Sequence, residues 1–319
     1  MKPIATIIAI GFLSVGTCFA QPWPSKTVRL VVAFPAGGGV DFFARVLAQK
    51  LQEQLGQSVV VDNRPGASGI IGADVVAKAP ADGYTVLISS AAEIAINQHL
   101  YSKLPYDSVK DLAPVSYAVY AAVLLYAHPS LRVKSLKELI TLAKARPGQL
   151  TYASVGTGSV HHLTAELLKS TARIDILHVP YKGGGPAATA MVSGEVPMGF
   201  AGFSALAHAR AGRLRTIAAT GSKRGEATPD LPTFRELGFP DIDLVSWYGI
   251  LVPARTPNDV ISRLNAEVLK VVHAPEVKTR LLQQGIEAVG TSPDRFAQFI
   301  KSEIALYAKL VKQSGAKMD

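Results

Sequence analysis

Two glycine triplets stand in the residue order that makes an anion-binding loop. Gly37-Gly38-Gly39 follows the apolar run VRLVVAF (28–34) and Pro35-Ala36, and Gly183-Gly184-Gly185 follows the run ending at Val179, then Pro180-Tyr181-Lys182. A helix-like pattern comes after each triplet. In a strand, loop, helix sequence the first-turn N–H groups have no intrahelical acceptor, and the helix dipole adds partial positive charge at that end. Glycine lets the backbone bend and come close to a ligand. Two such loops facing each other form a clamp for a small anion, which points to a two-lobed binding protein. Asp41, in the first helical turn, reads either as a cap favoured by the dipole or as a ligand contact.

A third loop, SVGTGS (154–159), also precedes a helix. Ser154, Thr157, Gly158 and Ser159 offer hydroxyls and N–H groups to a ligand, and Thr157 or Ser159 also suits an N-cap. His161 and His162 are neighbours, so on a helix they diverge by about 100° and do not chelate together. His162 and Glu166 are spaced i, i+4, but two ligands fall short of the three or four a metal needs. His162 reads instead as a hydrogen-bond donor near the cleft. Lys182 is a cationic contact, a Schiff-base lysine or, by default, an exposed solvated lysine; nothing else suggests a cofactor. Trp247-Tyr248 either line the cleft or pack a hinge. The G-x-x-x-x-G-K-[ST] and G-x-G-x-x-G spacings are absent, as are G-x-S-x-G and H-E-x-x-H. No metal, cofactor or catalytic group is assigned.

The elements needed to position these loops can be read from hydrophobic periodicity. Strands are expected over 28–34, 58–61 and 85–89, and helices over 41–55 and 70–79, with Phe42, Val46, Leu47 and Leu51 on one stripe of the first helix. Ser89 and Ser90 end the third strand and join the candidate site. This βαβαβ alternation predicts a parallel-type sheet with helices on both faces, and ligands bind such sheets at the carboxyl ends of strands. The second half repeats the pattern, with strands at 150–154, 174–179, 197–201 and 214–219, and helices at 136–145 and from 160 to 171. The β-rich segments 115–127 and 244–253 bracket this second unit and read as paired crossover strands of a hinge. The helical tail from 258 is expected to pack back on the first lobe. Lobe 1 is thus residues 21–122 with 249–319, and lobe 2 is residues 123–248.

The chain has 319 residues, 48% of them hydrophobic, which suffices for two cores. Lys2, the apolar run 4–15 and Cys18-Phe19-Ala20 have the layout of a secretory signal cut before Gln21. The run is too short for a transmembrane anchor. Cys18 is the sole cysteine, so cleavage leaves no thiol. Lipidation at Cys18 is the other reading, and Val15-Gly16-Thr17 fits it poorly. Without Lys2, 32 basic residues face 24 acidic ones. The basic residues are scattered, with no basic run and no aromatic interleaving. This argues for a solvated basic surface with a mild attraction for anions, and against nucleic acid.

These stretches together resemble the tripartite tricarboxylate transporter substrate-binding proteins, the Bug family. The matching motifs are FPAGGGVD (34–41), VVVDNRPGASG (59–69), APADGYT (79–85), TGSVHHL (157–163), VPYKGGGPA (179–187), RAGRLRTIAATG (210–221) and WYGILVPARTP (247–257). The resemblance implies a periplasmic solute-binding protein of the type II two-lobed fold. It implies a small organic carboxylate held by the 34–41 loop, with the 154–159 and 181–184 loops opposite. It also implies a membrane permease with a large and a small subunit, no cofactor and no catalysis. The expected state is monomeric.

Two stretches depart from the family pattern. Relatives often carry Asp or Asn after Met198-Gly199-Phe200, where this chain has Ala201-Gly202-Phe203-Ser204. Relatives usually show Ser-Asn after the third strand, where this chain has Ser89-Ser90-Ala91-Ala92-Glu93. The first change would favour an aliphatic or aromatic acid; Glu93, if it faces the cleft, would pair with an amine or reject a second carboxylate. Ser204 is included in the candidate site. The alternative functions are an exported signalling receptor or a hydrolase or isomerase of a small acid.

Overall fold

The computed structural model describes residues 23–314, so the expected signal segment and cleavage site lie outside the described residues. The first buried β-branched run forms β1 (Val28–Val32), and α1 (Gly39–Leu55) follows the glycine loop. Phe43, Val46, Leu47 and Leu51 form the buried stripe of α1; Phe42 is only partly buried and packs at its edge. Gly56 ends α1 at φ 64°, donating its N–H to Gln52 O, as a left-handed C-cap does. Next come β2 (Val59–Asn63), α2 (Ile70–Ala77) and β3 (Thr85–Ser90). A π-helical turn, Ala92–Ile96, then leads into α3 (Asn97–Leu100).

The apolar segment after α3 is two strands, β4 (Leu112–Ala122) and β5 (Leu124–Ala127), which belong to different sheets. The second unit contains α4 (Leu136–Ala145), β6 (Thr151–Ser154), α5 (Val160–Ala172), β7 (Leu177–Pro180) and α6 (Gly184–Ser193). It closes with β8 (Met198–Ala201), α7 (Leu206–Arg210) and β9 (Arg215–Ala219). The chain returns through β10 (Val245–Pro253) and ends with α8 (Asn258–His273), α9 (Pro275–Gln283), β11 (Ile286–Ala288) and α10 (Pro293–Ser314).

The two sheets have corresponding cores. The first has the order β11-β4-β10-β3-β1-β2 and the second β7-β6-β8-β5-β9. Each holds a parallel trio, β2-β1-β3 in one and β7-β6-β8 in the other, flanked by one antiparallel strand, β10 or β5. The sheets are therefore mixed, because each takes an antiparallel strand from a chain segment that passes between the lobes. Both passes meet where Val245 pairs with Ala122, next to the Val123 break between β4 and β5.

The tail does more than cover the first lobe. α8 packs on α1 and β4, whereas α10 lies across β4 and the π-helical turn and also touches α5 of the second lobe. Trp247 anchors α10 from below. It is fully buried, donates from Nε1 to Glu303 Oε2 at 2.7 Å, and meets Phe296 and Phe299 edge to face. A Cβ on Gly249 would fall 2.1 Å from the Phe296 ring, so β10 needs glycine there. One apolar core consequently runs from Val31 and Leu87 through Trp247 and Phe296 to Tyr152 and Phe200. β11, three residues long and unanticipated, pairs antiparallel with β4; a segment that short shows no alternation pattern.

Candidate functional site

The first loop is held in place by a carboxylate. Asp41 Oδ2 accepts from Gly37 N–H and from Arg45 Nε, both at 2.9 Å, and Oδ1 accepts from Asn63 Nδ2 at 3.0 Å. Asn63 also donates to Phe34 O at 3.1 Å, tying the loop to the end of β2. Burial opposes ionisation of Asp41, but the hydrogen bonds from Arg45, Gly37 and Asn63 overcome it and hold the carboxyl below its usual range. An ionised, fully engaged carboxylate repels a ligand carboxylate. Asp41, expected at the ligand, is bonded to Gly37, Arg45 and Asn63, which positions the loop. The Gly37 N–H, also expected at the ligand, points inward to Asp41. Pro35 and Ala36 are exposed on the rim, and Pro35 has no N–H to give.

Gly38 and Gly39 remain as donors. Gly38 is the N-cap of α1 and supplies no side-chain cap, so the first-turn N–H groups are left open. Gly39 is a close-approach glycine: a Cβ there would lie 2.4 Å from the Tyr248 hydroxyl. Strand alternation on β10 thus splits the aromatic pair, sending Trp247 into the core and Tyr248 against this loop.

The end of β3 is closed on itself. Ser89 is buried and its hydroxyl donates to Gly249 O at 3.1 Å. Glu93 folds back so that Oε1 accepts from Ser90 N–H at 2.6 Å and Oε2 from the Ser90 hydroxyl at 2.7 Å. Burial pushes the Glu93 carboxyl up to about 7 against those two bonds. Ser89 and Ser90, expected at the ligand, make these hydrogen bonds within the protein. Glu93 lies under the loop at Gly69. That loop carries four consecutive positive-φ residues, Gly66 to Gly69, with Asn97 Nδ2 donating to Ser68 O at 2.9 Å.

In the second lobe the loops are laced together. Tyr181 N–H donates to Ser154 O at 3.1 Å, Gly183 N–H to Val155 O at 3.0 Å, and Gly184 lies against Ser204. Ser154 Oγ is 2.7 Å from His178 Nε2. The Ser159 hydroxyl donates to Gly156 O and accepts from His162 N–H, capping α5. His162 Nδ1 accepts from Gly158 N–H at 3.2 Å, which puts its proton on Nε2, 3.9 Å from Glu166 Oε1. His162 stacks on His178, which stacks in turn on Tyr152. Burial lowers both histidines, His178 to about 4, so the stack is neutral. The Tyr181 hydroxyl donates to Glu195. Ser154, Gly158, Ser159, His162, Tyr181 and the N–H of Gly183, all expected at the ligand, are each engaged in hydrogen bonds within the protein.

The groups that stay available are fewer and mostly backbone. Half-buried Thr157 has no hydrogen bond among the described residues, and exposed Lys182 has no acidic partner there. Gly183 begins α6 without a side-chain cap, leaving the Gly184 and Gly185 N–H groups open; Pro186 has none. Ser204 is exposed beside Gly184. The second-lobe loop faces lobe 1, since a Cβ on Gly158 would fall 2.5 Å from Leu100 Cδ1. Sequence reading did not single out His161. It is buried, neither ring nitrogen has a partner, and Nε2 lies 3.7 Å from the Cβ position of Gly202. The 100° divergence of adjacent helical residues separates His161 from His162 but does not mark it as unpartnered.

Comparison with known proteins agrees with this architecture. A family model described as tripartite tricarboxylate transporter family receptor matches residues 43–316. BugT of Bordetella pertussis is 38% identical over 301 residues, covering 94% of this chain and 92% of BugT. The solved structure of R. palustris Rpa4515 with adipate is 36% identical with a TM-score of 0.89, covering 93% of this chain and 100% of that one. MatC from Rhodopseudomonas palustris with bound malate is 31% identical with a TM-score of 0.84, covering 91% and 100%.

Proposed function

The chain belongs to the tripartite tricarboxylate transporter receptor family, with its two-lobed solute-binding fold, and on that premise we propose that it captures a small organic carboxylate in the periplasm. The observation that carries this reading is the pair of glycine-capped helices. α1 and α6 both begin without a side-chain cap, each at the carboxyl end of its sheet. One ligand carboxylate sits over the Gly38 and Gly39 amides. Thr157, Lys182 and the Gly184 and Gly185 amides act from the other lobe. The likeness to proteins solved with adipate and malate supports an acid of that class.

Lobe 1 (residues 21–122 and 249–319) and lobe 2 (residues 123–248) close about the junctions at Val123 and just ahead of β10. Closure is driven by contacts the ligand makes only in the closed form. The closed form delivers the acid to a permease of one large and one small membrane subunit. No catalytic step is proposed. A cleaved signal exports the chain, and the mature protein acts as a monomer.

A thermal-shift panel of adipate, malate, benzoate and glutamate tests this. A ligand at a hundred times its Kd stabilises the folded state by about 2.7 kcal/mol through mass action. A selective rise with one acid, recovered unchanged, is the expected result. No shift with any acid would overturn the clamp, and an acid recovered chemically altered would favour an enzyme.

A further inference from the structure

His161 is the one histidine at the loops whose polar atoms the fold does not use. It occupies the first turn of α5, two residues after the N-cap Ser159. Its neighbour His162 turns back to the Gly158 amide and the His178 ring. His161 diverges from it by about 100° and points toward Gly202, at the carboxyl end of β8. Only 8% of the residue is exposed, and neither Nδ1 nor Nε2 has a hydrogen-bond partner among the described residues.

A neutral imidazole carries one N–H donor and one acceptor nitrogen, and burying both unpaired costs free energy that an apolar side chain of similar size would not. Buried polar groups in folded proteins almost always have a partner. The surroundings leave room for one. Apart from Gly202 and its two chain neighbours, only His161 Nε2 among the described residues comes within 4 Å of a Gly202 Cβ, at 3.7 Å. The Gly202 carbonyl is already held by the Tyr126 hydroxyl at 3.1 Å. Burial alone drives the ring toward its neutral form, to about 4, with no charged neighbour contributing. A neutral ring with no carboxylate beside it is suited to donate to an oxygen.

We propose that His161 is a specificity residue of the cleft, donating a ring N–H to an oxygen at the end of the bound acid remote from α1. That oxygen belongs to a second carboxylate or to an uncharged carbonyl. The inference rests on the reading that the α1 loop holds the first carboxylate.

Calorimetric titration of wild type, His161→Leu and His161→Gln with adipate, monomethyl adipate and hexanoate tests it. Wild type is expected to bind adipate, monomethyl adipate or both about 10-fold or more tighter than hexanoate. His161→Leu should erase that preference while leaving hexanoate affinity unchanged, and should not lower the melting temperature without ligand. His161→Gln, which keeps a donor, should retain part of the preference. Preference for both acids over hexanoate assigns a carbonyl contact; preference for adipate alone assigns an ionised one. If His161→Leu shifts all three affinities equally, or none, the inference is overturned while the anchor stands. If wild type binds none of the three, the reading of the cleft fails and this inference with it.

Discussion

The first and second lobes present the same strand, glycine loop and helix, yet hold that loop in opposite ways. In lobe 1 the loop hangs on an ionised side chain, Asp41, shared among Gly37, Arg45 and Asn63. In lobe 2 the loops hang on a neutral stack, Tyr152, His178 and His162, fastened to Ser154 and to the Gly158 amide. The shared part is the uncapped helix N-terminus, which suggests that the backbone is the binding element. The support beneath it can then be rebuilt from different chemistry. A charged support tolerates mild acid, whereas a neutral histidine stack does not.

The largest expected effect tests the shared part. Gly38 has φ −85° and only Pro35 O near its Cβ position, at 3.8 Å, so Gly38→Val folds normally. The new side chain occupies the space over the α1 amides. Adipate affinity should fall about 100-fold or more, with a melting temperature close to wild type, because several charge-assisted bonds are lost together. Gly185→Val, also in open space, should cost less, about 10-fold, because Thr157 and Lys182 share the second lobe's hold on the ligand with the α6 amides.

Next comes the charged support. Asp41→Ala leaves the Gly37 N–H and the Asn63 amide without their acceptor and should cost about 1–3 kcal/mol in denaturant unfolding at pH 7. The Asp41 pKa is depressed below the usual 3.8, so its contribution is present above that value. It is lost only as pH falls through the depressed value.

The neutral support has the same sign in a higher pH window. His178 is lowered to about 4 from 6.5, so the unfolded chain binds more protons between those values and stability drops as pH falls from 6.5 to 4. Glu93, raised from 4.5 to about 7, opposes this, since the folded state binds its proton more tightly and acidification from 7 to 4.5 stabilises it. Melting curves at pH 7 and pH 5 should therefore show a shallower acid loss in His178→Phe and a steeper one in Glu93→Gln. Equal slopes in both variants would erase the contrast between the lobes. The smallest effect is Tyr181→Phe, which removes only an exposed bond to Glu195. It should change stability by less than about 0.5 kcal/mol and leave adipate affinity close to wild type.

The elements were largely legible because their signals are local. The run Leu136–Ala145 and the caps at Gly56 and Ser159 follow from periodicity and terminal residues alone. The break at Val123, which divides one apolar run between two sheets, leaves no mark in composition. At the site, the glycine loops were legible in the sequence, and the internal partners of the polar side chains beside them were not. Ser, Asp and His beside a loop serve equally as ligand contacts or as loop supports. Only their partners decide, and those partners, Asn63 for Asp41 and His178 for Ser154, lie 22 and 24 residues away. His161 was missed for the converse reason, because nothing in sequence marks a residue by the bonds it does not make.

A crystal structure of the protein with adipate tests the central claim most directly. The account predicts one carboxylate accepting from the Gly38 and Gly39 amides, with Asp41 still bonded to Gly37, Arg45 and Asn63. A carboxylate bound away from the start of α1, or a loop reorganised so that Asp41 faces the ligand, would contradict it.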